Sequence, residues 1–178
     1  MTVHSAEIEA LVDEYARGPD RIEAALRGLS EDEVRFSPGS GHWSIHENIV
    51  HLADTELVYA ARVRYLVAEP ELVPASFRGF HWSTVLAYPA QSLEDALHVF
   101  RAVRATTARY LRALPPETWA RTGPHWDREG AGTEPRRLSV ADAVAVFRDH
   151  VHYHLRTIAR RRNQYAARRS GAAYRPVT

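Results

Sequence analysis

The twenty residues SVADAVAVFRDHVHYHLRTI, positions 139–158, decide how this chain folds. Ser139 followed three residues later by Asp142 is the pattern of a helix start whose cap and first turn bond reciprocally. From Val140 to Ile158 the apolar positions recur at helical spacing, with Ala143, Phe147 and Ile158 on one stripe. His150 and His154 fall on the same stripe. Four residues apart, they lie about 40° from each other on the helix and roughly one turn along its axis. Imidazoles on a core-facing stripe are costly unless they share protons or hold a metal. His152, about 200° from His150, faces the other way.

Working outward, the chain reads as four long helical segments. The first runs from Ser5 to about Leu29, interrupted at Gly18-Pro19, and Pro19 can open a new helix at its first position. Ser30 to Glu33 is a second capping pattern. The second long helix opens at Ser44 with Glu47 at the capping spacing and ends near Glu69-Pro70. The third opens at Ser92 with Asp95 and is closed by Pro115-Pro116. The fourth is the segment quoted above, running on into an arginine-rich end. Two long loops, 69–90 and 115–137, show no sustained alternation and carry the aromatics Phe77, Phe80, Trp82, Tyr88, Trp119 and Trp126. Loops of this length in a compact domain are usually functional or disordered. The expectation is one all-α domain over residues 1–178. It would be an antiparallel four-helix bundle with a core of about 5–165, long loops between helices 2 and 3 and between 3 and 4, and a C-terminal tail over 166–178.

Composition removes several chemistries. None of the 178 residues is cysteine, so disulfides, thiolate metal sites and a cysteine nucleophile are absent. All 23 basic residues are arginine, which removes a lysine Schiff base. The start of the chain lacks a signal-peptide pattern and no apolar run is long enough for a membrane span, so a cytoplasmic protein is expected. A net charge of +1 gives no general case for nucleic acid. The arginines at 156, 160–162, 168 and 169 read most simply as a solvated helix end that complements the macrodipole, with contacts to an anionic ligand or nucleic acid as the alternatives.

Ten histidines are too many for one site. His51, on the second long helix, is preferred as the third candidate beside His150 and His154 because two carboxylates share its face. His46, about 140° away, cannot easily aim at the same ion. Glu47 and Asp54, at i−4 and i+3 from His51, share its face, where a carboxylate can accept the second ring N–H or act as a general base. The plainer alternative for both is a surface carboxylate. His42, His81 and His125 are candidates for a fourth ligand without specific support, and Trp82 leads the loop aromatics as a roof over the pocket.

The segment Trp43-Ser44-Ile45-His46-Glu47-Asn48-Ile49-Val50-His51-Leu52-Ala53-Asp54 resembles the WS-x-x-E-x-x-x-HL-x-D segment of the DinB-like proteins, which include the YfiT-type metal-dependent hydrolases. Gly28-Leu29-Ser30 to Pro38 is similar to that family's lead into the tryptophan. Asp149 to Ile158 resembles its later H-x-x-x-H-x-x-x-I helix. The likeness spans roughly residues 5 to 165. It departs at Tyr153, where YfiT-like members often carry histidine. The resemblance implies a four-helix bundle with a long crossover and a divalent metal on His51, His150 and His154. It also implies hydrolase or low-molecular-weight-thiol-dependent transferase chemistry.

Three neutral imidazoles leave a divalent ion its full charge and an open position. That suits zinc or nickel, with iron or copper next, better than magnesium or calcium. The expected function is a metal-dependent hydrolase or thiol-S-transferase acting on a small molecule. The alternative is a non-catalytic metal- or ligand-binding stress-response protein. A homodimer is expected from the family likeness and from the apolar excess on the first two helices.

Overall fold

The computed structural model describes residues 3–74, 77–125 and 136–171, with side chains from residue 6 onward. The order is α1 (Val3–Ala16), α2 (Gly18–Leu26), α3 (Glu31–Arg35), α4 (Ile45–Ala68), α5 (Gly79–Val85), α6 (Leu93–Arg112), strands β1 (Thr122–His125) and β2 (Arg136–Ser139), and α7 (Val140–Ser170). Single 3-10 turns at Tyr88–Ala90 and Pro116–Ala120 precede α6 and β1. The bundle is formed by the broken α1–α2 helix with α4, α6 and α7, and it is all-α apart from the two short strands.

The capping signals act as the sequence predicts. Ser30, Ser44, Ser92 and Ser139 each accept a hydrogen bond from the backbone N–H three residues on. At Ser44 and Ser139 the reciprocal bond is also made, through Glu47 and Asp142. A cap of this kind is worth about 1 kcal/mol. Both complete boxes open the helices that carry the three histidines.

Pro19 restarts the first helix as expected, but Gly18 has a packing reason too. A Cβ there would sit 2.2 Å from Nη1 of Arg104. Only a glycine lets the α1–α2 junction close over that buried guanidinium. Two apolar clusters fill the bundle. One is built on Val12, Val63, Leu111, Val140 and Phe147, the other on Ile22, Ile45, Ile49, Leu52, Phe100, Val151 and Ile158. Each such side chain contributes about 1.5–3 kcal/mol on burial. α7 runs through both clusters, and its histidines lie where one gives way to the other.

The two long connections are more ordered than their sequences suggest. The first contains α5, and the second contains the β1–β2 hairpin, paired antiparallel from Thr122↔Ser139 to His125↔Arg136. Strands of four residues with the sequences TGPH and RRLS carry no readable alternation, so tertiary context decides them. β2 ends at Ser139, the residue that caps α7, and so fixes where that helix begins. At the C-terminal end the helix runs on into the arginine-rich segment, as the sequence reads. α7 continues to Ser170, so Arg168 and Arg169 are helical, with Arg168 over the Phe36 ring and Arg162 3.6 Å from Glu33. Trp126, Gly130, Gly132, Pro135 and the chain beyond Gly171 lie outside the described residues. Among the described residues no helix is long and apolar enough to cross a membrane.

Candidate metal centre

α4 contributes His51 and α7 contributes His150 and His154. One ring nitrogen from each lies within 4.8 Å of the other two. Among the described residues no other group of histidine or carboxylate side chains converges in this way. The ring centroids are 5.4 Å apart for His51 and His150, 5.2 Å for His51 and His154, and 4.5 Å for the α7 pair. His51 and His154 are buried, and His150 is half-buried.

The hydrogen bonds fix how His154 presents itself. Asn48, buried on α4, donates from Nδ2 to the Ser44 carbonyl at 2.7 Å, which leaves its Oδ1 as an acceptor. That oxygen is 2.8 Å from Nδ1 of His154. Nδ1 therefore carries the proton, and Nε2 points its lone pair at Nε2 of His150, 3.1 Å away. Nδ1 of His51 is buried with no hydrogen-bond partner among the described residues. Burial holds all three rings neutral. His51 is lowered to about 3, with His150 adding to the effect. His150 is lowered to about 4, helped by the charge of Arg104. His154 is pushed well below the usual imidazole range by burial and then by the other two rings. A cluster of neutral nitrogen donors, one of them orphaned and two facing each other, fits a divalent transition ion.

α5 closes against the cluster at one point. A Cβ on Gly79 would lie 2.9 Å from Cε1 of His51, so the glycine lets that helix reach the ring. Trp43 packs 4.7 Å from His51 and 4.6 Å from Phe80, and its indole N–H donates to Ser83 of α5. Phe77 also stacks on His51, with ring centroids 5.8 Å apart. The cluster opens into a cleft of about 1050 Å³.

The two carboxylates proposed from helical phase do not serve His51. Glu47 is turned back to the Ser44 backbone and hydroxyl by the capping box. Asp54 accepts from the Tyr88 hydroxyl at 2.6 Å. Asn48 supplies the tether instead, to His154. The signal for it in the sequence is position alone, an amide about one turn before His51 on the same helix. Trp82 does not line the cleft but backs it, edge-on to Phe77 at 4.8 Å. The wall is made by Trp43, Phe77 and Phe80. His152 faces Arg21 and Asp149 on the outside of the bundle, and His46 is held by the Gln91 carbonyl. Of the fourth-ligand candidates, His42 is exposed on the cleft rim, His81 is exposed, and His125 is buried beside Phe147, apart from the cluster.

A sequence model of the DinB superfamily matches residues 14–158. The chain belongs to that superfamily. It is 22% identical over 148 residues to the Oceanobacillus iheyensis protein named "Putative metal-dependent hydrolase OB0782", covering 83% of this chain and 81% of that one. Its fold is similar to that of YfiT from Bacillus subtilis, described as a probable metal-dependent hydrolase with an unusual four-helix bundle topology. The TM-score is 0.79 at 16% identity, over 97% of this chain and 93% of YfiT. The DinB-type bundle expected from the Trp43–Asp54 and Asp149–Ile158 segments is therefore the fold of this chain.

Proposed function

We propose that this DinB-superfamily protein is a metal-dependent hydrolase whose ion is held by His51, His150 and His154 at the floor of the cleft. The observation that carries this reading is the convergence of three neutral imidazoles from two helices on a solvent-reached space. The names of its relatives support it. A bound zinc or nickel ion would supply Lewis-acid chemistry, polarising a substrate carbonyl or acidifying a water or thiol. The chain itself does the positioning. Asn48 holds His154 in one tautomer, Gly79 admits α5 against His51, and Trp43 and Phe77 pack on that ring and fix its place.

A thiol-dependent transferase is the second reading, and one observation favours it. No carboxylate lines the cleft among the described residues, so no acidic side chain stands ready as a general base there. A thiol cosubstrate needs less help from such a base than water does. Ester hydrolysis measured with and without added low-molecular-weight thiol separates the two, because only the transferase depends on the thiol. The proposal includes a homodimer in the cytoplasm; equilibrium sedimentation showing only monomer at micromolar concentration would remove the dimer.

The deciding experiment is elemental analysis of purified, folded variants after dialysis. Alanine at His51, His150 or His154 should each abolish stoichiometric retention of the ion, while His152→Ala should retain it. Full retention in His150→Ala, or equal loss in His152→Ala, would put the site elsewhere.

A further inference from the structure

The cleft carries a charge pattern that a metal site alone does not require. Its described lining contains two guanidinium groups, Arg160 and Arg161, and neither aspartate nor glutamate. Arg161 is only 7% exposed, with Nε donating to the Trp43 carbonyl at 2.7 Å and Nη1 to Gln164 at 2.8 Å. Arg160 is exposed beside it, with Nη2 3.4 Å from the Thr157 hydroxyl. Guanidinium groups are permanent cations that attract a carboxylate, and the exposed Arg160 can offer forked donors to one while the buried Arg161 adds its charge.

Spacing adds a dimension to that charge. The two arginines follow His154 by six and seven residues on α7, about 9 and 10.5 Å along the axis. Trp43 bridges the interval, with its ring against His51 and its carbonyl held by Arg161. Phe77 and Phe80 extend the same wall. The cleft thus has imidazoles at one end, an aromatic side and a cationic far end. Its volume suits a small molecule rather than a polymer.

We propose that the ligand is an elongated carboxylate. Its acid group would lie at Arg160 and Arg161, its flat or apolar body on Trp43, Phe77 and Phe80, and its reacting group at the three histidines. The last of these assignments rests on the metal reading above. The first two do not.

The test uses 4-phenylbutyrate and its uncharged amide, which share one shape, in calorimetric titrations of the full chain above the histidine titration range. Metal-free protein isolates the arginines from any carboxylate–metal bond, and zinc-loaded protein is run in parallel. In the metal-free protein the acid should bind about tenfold more tightly than the amide. Arg160→Gln should remove most of that preference without weakening the amide. Arg161→Gln should do the same, and Arg161→Lys should restore part of it. If the Arg161 variants do not fold, Arg160→Gln decides. Equal affinity for acid and amide, an undiminished preference in Arg160→Gln, or no binding of either probe at millimolar concentration overturns the proposal. Zinc content is scored separately. A chain that keeps the acid preference but holds no zinc removes the metal reading alone, and the reverse result removes only this one.

Discussion

Two buried polar clusters sit close together in this bundle, and they are built on opposite terms. Around Arg104 the groups are satisfied. Its guanidinium donates to Glu56 at 2.7 and 3.0 Å, to the Phe147 carbonyl at 3.1 Å and to the Tyr15 carbonyl at 3.3 Å. The second Glu56 oxygen accepts from the Tyr15 hydroxyl, and the Tyr15 and Phe100 rings lie against the cation. Five residues from Glu56 along α4, the imidazole cluster begins. There one ring nitrogen has no described partner and two others face each other. The first cluster ties α1, α4, α6 and α7 together and asks for nothing more. The second leaves one buried ring nitrogen without a described partner and pairs two others only with each other, a donor set that suits a binding site better than a structural joint. A buried polar group is thus read by whether its bonds close, more than by its burial.

The largest effect should come from opening the closed cluster. Glu56→Ala leaves a buried guanidinium without its counter-ion and should cost about 3–5 kcal/mol, read from urea denaturation. A loss below 1 kcal/mol would show that the contrast is mistaken. Asn48→Ala belongs to the other cluster. It frees the His154 tautomer and should weaken zinc affinity by about 10–100-fold, measured by competition with a chelating dye. Unchanged affinity would mean that Asn48 only packs. Gly79→Ala should be milder, about 1 kcal/mol in stability, with weaker zinc retention because the His51 ring must shift; loss of neither would place α5 farther from the ring than the structure has it. The smallest change is expected in zinc content as the pH is made mildly acidic. His51 and His150 fall to about 3 and about 4 in the fold, below the unfolded value of about 6.5. Their neutrality favours the fold above that value, and the contribution is lost as pH falls toward about 4. Protons therefore compete for the ring nitrogens only near the low end of that window. Zinc content should stay nearly level from about pH 7 to 5. A midpoint of zinc release near 6.5 would mean that the rings are solvated rather than buried.

Much of the bundle could be read from residues a few positions apart. Caps at Ser44, Ser92 and Ser139 and the stripe on α7 are local patterns, and local patterns survive translation into structure. Helical phase put His150 and His154 on one stripe, and family likeness joined His51 to them. What stayed hidden was set by distant partners. Asn48 meets His154 across 106 positions, and Arg161 holds the Trp43 carbonyl across 118. Glu47 and Asp54 were placed on the correct helix but assigned the wrong partners. Phase gives the direction of a side chain, whereas a cap or a tyrosine hydroxyl that competes for it is a matter of energy. The β1–β2 hairpin and α5 were missed because their short sequences have too little periodicity to show.

The paired capping boxes have a consequence for how this chain tolerates insertions and deletions. His51 follows its cap at Ser44 by seven residues, and His150 follows Ser139 by eleven. At about 100° per residue these offsets are within about 20° of two and three whole turns. Each box acts as the zero mark of a ruler on which the ligand sits at a nearly integral reading. Adding or removing one residue between mark and ligand would swing the imidazole by about 100°, out of the cleft and into a neighbouring helix or solvent. The connections over 69–90 and 115–137 hold no metal-site imidazole downstream of a cap on one helix, so a residue gained or lost there does not turn one by this angle. Among natural length variants of this bundle, gaps should therefore gather in those connections and be missing from 44–51 and 139–154.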